Sequence, residues 1–94
     1  MAEVHARHIE VATEEQCIEI RKKLEEGADF ATYAMKYSKC PSARKGGDLG
    51  VVEPGKMGEE FDRVVFRDED VNVLKGPIKT SFGYHLVEVT SRTG

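Results

Sequence analysis

The sequence predicts an α+β domain with a small antiparallel sheet. Residues 4–11 alternate between two faces and are rich in β-branched residues, which is typical of a strand. Two helical stretches follow, and two strand-like segments separated by Gly83 end the chain as a hairpin. Because strands and helices do not alternate regularly, this order favours an α+β domain over a parallel α/β fold. The 94 residues fit a single domain, residues 1–94.

The first strand is followed by a helix predicted over residues 14–26. Thr13 and Gln16 form a capping-box pattern at its start, because each can satisfy a free backbone donor of the other. Gly27 ends this helix. Its apolar stripe consists of Cys17, Ile20 and Leu24, so Cys17 is predicted to be a core residue.

The remaining elements are shorter. Asp29 is the predicted N-cap of a second helix, and the apolar side of that helix carries Phe30, Ala34 and Tyr37. Turn signals dominate residues 39–58. Further elements are predicted at residues 49–52 (strand), 59–66 (helix), 76–80 (strand) and 84–90 (strand). In the first strand, alternation leaves open whether the face of His8 and Glu10 or the opposite face is the inner one.

Composition and charge exclude several classes of function. The formal net charge is −3 with both signs interspersed, which argues against nucleic-acid binding. No stretch approaches the roughly 20 apolar residues that span a bilayer. The first residues lack the pattern of a secretory signal, so a native full-length chain is expected in the cytoplasm with its two cysteines reduced. A domain excised from an exported protein would look the same.

Four polar residues are the strongest candidates for catalysis or metal binding, namely His5, His8, His85 and Cys40. His8 and His85 lie in the middle of predicted strands, and central pairing of those strands would bring both imidazoles to one sheet face. A structural role as hydrogen-bonded core residues is the alternative. Zinc ligation by these histidines and Cys40 is disfavoured, because no closely spaced ligand pair exists. A thiol hydrolase at Cys40 is disfavoured as well, since no orienting residue or oxyanion loop can be assigned beside it.

An ordered set of short motifs resembles the parvulin family of peptidyl-prolyl cis–trans isomerases. Each motif is weak alone, but the set follows the family order along nearly the whole chain without large insertions. The motifs are His8-Ile9, residues 27–30, Tyr37-Ser38, residues 40–42, 46–50, 54–57, Phe61-Asp62, Val65-Phe66, residues 76–78 and residues 80–85. The length resembles that of minimal bacterial parvulins. The resemblance implies a four-stranded antiparallel sheet flanked by helices, in the order βαααβαββ.

The resemblance also implies an active site without metal or cofactor. The implied catalytic network consists of His8, Cys40, Thr80 and His85. The implied substrate pocket, which takes the proline ring, consists of Leu49, Met57, Phe61 and Phe82. His5 and Cys17 match no family site residue and are expected to be structural.

The implied activity is isomerisation of Xaa-Pro bonds in proline-containing peptides and unfolded proteins, with Cys40 not acting as a nucleophile. Family members that require a phosphorylated residue before proline carry a basic loop after the first strand. Here the corresponding segment, residues 12–15, is short and acidic. Its carboxylates would repel a phosphate, so unphosphorylated substrates are predicted. A monomer without nucleic-acid or membrane partners is expected. The alternative function is a non-catalytic, proline-recognising chaperone or peptide-binding module.

Overall fold

The structure is a computed structural model that describes residues 3–55, 58–67 and 71–93. Its elements confirm the predicted α+β class and element order. They are β1 (Glu3–Val11), α1 (Glu14–Glu25), α2 (Phe30–Tyr37), a 3-10 helix (Pro41–Lys45), β2 (Asp48–Val52), α3 (Glu59–Arg67), β3 (Leu74–Thr80) and β4 (Gly83–Thr93).

The four strands form one antiparallel sheet in the order β2-β1-β4-β3. The first and last strands of the chain are therefore the central pair, and β3 and β2 are the edges. β3 begins two residues earlier than predicted, because Leu74 and Lys75 already pair with β4. Pro77 lies in the irregular part of this pairing, between Lys75 and Ile78, where an edge strand tolerates a missing backbone donor.

The predicted caps fix the starts of the first two helices. The Thr13 side chain accepts a hydrogen bond from the backbone N–H of Gln16 at 3.2 Å, and Asp29 accepts one from Thr32 at 3.0 Å. One detail of the predicted apolar side of α2 is wrong. Tyr37 is exposed, because α2 ends at this residue and the ring lies beside Tyr33, outside the core.

Helices cover both faces of the sheet, which resolves the question left open for β1. Val4 and Ala6 belong to a core cluster that includes α3, whereas Ile9 and Val11 belong to a second cluster formed with α1 and α2. Each face of β1 is thus buried against helices over part of the length of the strand. None of the described helices is long and apolar enough to cross a membrane.

Candidate active site

The two predicted histidines meet on one face of the central strand pair. His8 lies opposite Val87 and His85 lies opposite Glu10, so the two imidazoles are diagonal neighbours. Their Nδ1 atoms are 3.1 Å apart, and the rings are nearly parallel at 15° with centroids 5.2 Å apart. Both side chains are completely buried. The predicted pairing of the two histidine-bearing strands, with both imidazoles on one sheet face, is therefore confirmed.

The turn from β3 to β4 extends this pair into a hydrogen-bonded chain. The hydroxyl of Thr80 lies 2.6 Å from Nε2 of His85, and the backbone N–H of Phe82 donates to the same hydroxyl oxygen at 3.1 Å. Because a neutral imidazole has one donor and one acceptor nitrogen, the proton positions on Thr80, His85 and His8 are linked. Within the described part of the chain, Nε2 of His8 is buried without a hydrogen-bond partner.

Burial also determines the charge of the pair. Desolvation lowers the pKa of His85 to about 4. Desolvation and, second, the charge of His85 lower the pKa of His8 to about 4. Both imidazoles are therefore neutral near pH 7, and the site presents a neutral hydrogen-bonded network.

An aromatic side chain of α3 packs directly against the histidine pair. The Phe61 ring is fully buried and packs edge-on against His8 and His85, with centroid distances of 6.0 and 5.8 Å. Leu49 packs against the same core cluster. Met57, the third predicted member of the pocket, lies outside the described residues. Phe61 thus contacts both imidazoles directly.

Cys40 is linked through Ser38 to the part of β1 that extends beyond the pairing of β1 with β2. There the Ser38 hydroxyl accepts hydrogen bonds from the backbone of Glu10 at 3.0 Å and of Cys40 at 3.4 Å. Cys40 and the half-exposed Phe82 line one cavity of about 200 Å³. The structure shows no hydrogen bond from the Cys40 thiol to either imidazole. Among the described residues, no three His, Cys, Asp or Glu side chains are grouped as metal ligands.

Two glycines lie directly against the backbone of the histidine strands, a contact that the sequence analysis missed. Gly47 has φ +87°, and a Cβ there would lie 2.4 Å from the carbonyl oxygen of His8. Its own carbonyl accepts from the His8 N–H at 2.9 Å. A Cβ on Gly76, at φ +125°, would lie 2.4 Å from the carbonyl oxygen of His85. Both glycines belong to quoted motifs, so the motif positions were the available signal.

Comparisons with known proteins identify the class that this fold and site define. The family of rotamases described as PPIC-type PPIase domains matches residues 3–91, so the chain belongs to this family of peptidyl-prolyl isomerase domains. The foldase protein PrsA of Exiguobacterium sibiricum is 48% identical over 91 residues, which cover 96% of this chain and 30% of that protein. The chaperone SurA of Burkholderia orbicola is 38% identical over 101 residues, which cover 98% of this chain and 22% of that protein.

Two solved structures share the fold. The crystal structure of the peptidylprolyl isomerase PrsA from Bacillus anthracis has a TM-score of 0.92 and 34% identity, over 99% of this chain and 43% of that chain. NmPin, the parvulin of Nitrosopumilus maritimus, has a TM-score of 0.82 and 30% identity, over 97% and 98% of the two chains. The predicted parvulin family, its fold and its isomerase class are confirmed at the level of the family. The chain spans less than a third of the length of the two curated relatives.

Proposed function

We propose that this domain catalyses cis–trans isomerisation of unphosphorylated Xaa-Pro bonds and so assists protein folding. The observation that carries the proposal is the buried, neutral chain of His8, His85 and Thr80, which ends at the backbone N–H of Phe82, a residue whose ring is exposed. Membership of an isomerase family supports the same activity.

The proposed catalysis is non-covalent. Rotation about the peptide bond breaks amide resonance and has a barrier of about 18–20 kcal/mol. The twisted amide is less polar than the planar one, so an apolar surface that excludes water favours it. In this proposal Leu49, Met57, Phe61 and Phe82 provide that surface, and the histidine network with Cys40 fixes its shape. The reaction needs no cofactor or metal.

Unphosphorylated substrates are favoured by the short connection after β1. That strand ends at Val11 and α1 begins at Glu14, so two residues join them, and Glu14 and Glu15 form the first helical turn. These carboxylates would repel a phosphate dianion.

The test is cis–trans exchange, followed by NMR, on short Xaa-Pro peptides with and without a phosphate on a preceding serine. We expect acceleration of the plain peptides and no gain from the phosphate. Phe82→Ala should lower kcat/KM by about ten-fold, the equivalent of roughly 1.4 kcal/mol of lost contact. Met35→Ala is the matched control, because Met35 is an exposed apolar side chain of α2 that lines no part of the site.

A different result would change the proposal. Acceleration only of the phosphorylated peptides would contradict the assigned substrate class. A covalent peptide adduct on Cys40 in mass spectrometry during turnover would contradict the non-covalent mechanism. No acceleration of any peptide would contradict the isomerase activity itself.

The second candidate function is a proline-recognising chaperone module without catalysis. The similarity to the chaperone SurA and to the foldase PrsA favours binding of unfolded proteins in either case. Peptide binding without acceleration of exchange would establish this alternative.

The proposal includes the molecular context of the domain. We expect residues 1–94 to form a single monomeric domain that binds unfolded, proline-containing chains and no nucleic acid. Cytoplasmic location remains a proposal for the chain alone. In the relatives, the matching region is one part of a longer protein. This agrees with the other possibility, that the chain is a domain of a longer, exported protein.

A further inference from the structure

A cavity beside the histidine network combines apolar walls with one carboxylate. Glu10 follows His8 by two residues on β1, so its side chain leaves the sheet on the same face. The cavity has a volume of about 200 Å³. It is lined by Glu10, Lys39, Cys40, Pro41 and Phe82. Since Cys40 and Phe82 belong to the proposed site, a substrate at that site lies next to Glu10.

The Glu10 carboxylate is partly buried, and its loss of hydration is compensated only in part. Among the described residues, nothing donates a hydrogen bond to it or forms an ion pair with it. Burial raises the pKa of this carboxyl group, and the nearby charge of Lys39 counteracts the effect only in part. A carboxylate that has already lost part of its hydration gains more from a new cation than a fully solvated one does.

Lys39 is held near Glu10 through the backbone and not through its ammonium group. Its N–H donates to the carbonyl oxygen of Glu10 at 2.8 Å, while its side chain is exposed. A flexible, strongly hydrated ammonium can move into solvent when a ligand enters. Lys39 is therefore a weaker determinant of charge preference in this cavity than Glu10.

We propose that Glu10 makes the isomerase site select substrates with a lysine or arginine next to the proline. This inference rests on the proposed isomerase function. The aliphatic stem of such a side chain lies on Phe82 and Pro41, while its cationic head reaches the carboxylate of Glu10. An acidic side chain at the same position meets a like charge. Glu10 is thus a specificity-determining residue.

The experiment compares kcat/KM for peptides with Lys, Gln or Glu next to the proline, in one series before it and in another after it. A partly exposed ion pair corresponds to about a two- to five-fold preference for Lys over Gln, and like-charge repulsion extends the preference over Glu to about ten-fold. This preference is expected in one of the two series and should weaken at high salt.

Variants of Glu10 and Lys39 separate specificity from folding. Glu10→Gln should bring the Lys-to-Glu ratio close to one, and Glu10→Lys should reverse it. Lys39→Gln should increase the preference for Lys, because it removes the competing cation. A misfolded variant would instead lose activity on all peptides alike.

The outcomes distinguish this inference from the function on which it rests. Equal acceleration of the Lys, Gln and Glu peptides in both series would overturn the role of Glu10 and leave the isomerase function standing. A charge preference that persists in Glu10→Gln would also overturn it. Absence of acceleration for every peptide would instead overturn the proposed isomerase function.

Discussion

Acidification should destabilise this protein at a pH well above that at which most carboxylates titrate. His8 and His85 are buried and neutral, and burial lowers the pKa of each from 6.5 to about 4. Above pH 6.5 the imidazoles are neutral in the folded and the unfolded chain alike, so the full stability is present. As the pH falls below 6.5, the unfolded chain binds protons that the folded chain does not, and stability is lost until about pH 4.

The magnitude follows from linkage. Each histidine that is protonated only in the unfolded state lowers the free energy of unfolding by about 1.4 kcal/mol per pH unit. Because protonation of the unfolded chain is incomplete near pH 6, the drop from pH 6 to pH 5 is about 1.2 kcal/mol per histidine, or about 2.4 kcal/mol for the pair. The Glu10 carboxyl acts in the opposite sense, since its pKa is raised by burial and the folded chain then binds a proton more readily.

Urea unfolding at several pH values between 5 and 7.5 measures this drop directly. His8→Gln and His85→Gln should each remove about half of it, whatever the variant costs in stability at pH 7. His5→Gln is the matched control, because His5 is the partly exposed histidine on the opposite face of β1, and the drop should persist in it.

Two results would refute the reasoning. One is a free energy of unfolding that changes by less than about 0.5 kcal/mol between pH 6 and pH 5, which would mean that the pair does not resist protonation. The other is an undiminished drop in both His8→Gln and His85→Gln, which would assign the acid sensitivity to other groups.

Three further predictions concern the supports of the site. Gly47→Ala should destabilise the fold by about 2 kcal/mol more than Gly55→Ala, because both glycines have φ near +87° but only a Cβ at Gly47 meets the His8 carbonyl; equal losses in urea unfolding would contradict this. Phe61→Ala should cost about 3–5 kcal/mol, since the ring is fully buried, and retention of wild-type stability would show that the described packing is wrong. Thr80→Val, which keeps the shape and removes the hydroxyl, should cost about 1–3 kcal/mol and lower kcat more than it raises KM; unchanged kcat would exclude a role of the network in turnover.

The sequence allowed prediction of those parts of the fold that depend on neighbouring residues. The Thr13 and Asp29 caps are local hydrogen bonds within three residues, and both helices start where these caps predict. The alternation of β1 predicted a strand but not its inner face, because helices cover different faces at its two ends. That arrangement depends on tertiary packing, which cannot be read from the alternation of residues along one strand.

The sequence predicted several residues of the candidate site, but it did not predict which residues contact them across the fold. The resemblance supplied His8, Thr80 and His85, and the structure joins them by hydrogen bonds. Glu10 and Gly47 were not recognised, because their importance lies in what faces them across the fold. Glu10 and Phe82 line the same cavity, and Gly47 touches the backbone of His8.

The distribution of polarity at the site argues for function rather than for a merely structural histidine pair. Polar side chains are usually exposed and large apolar ones buried, yet here His8, His85 and Thr80 are buried while Phe82 is 55% exposed. Burial of a polar network costs free energy unless its groups are paired, and Nε2 of His8 is unpaired within the described structure. A core selected for stability alone would fill that position with an apolar residue. The network is instead connected through Thr80 to the backbone of Phe82, and the ring of Phe82 is the exposed apolar group that contacts a proline in the proposed function.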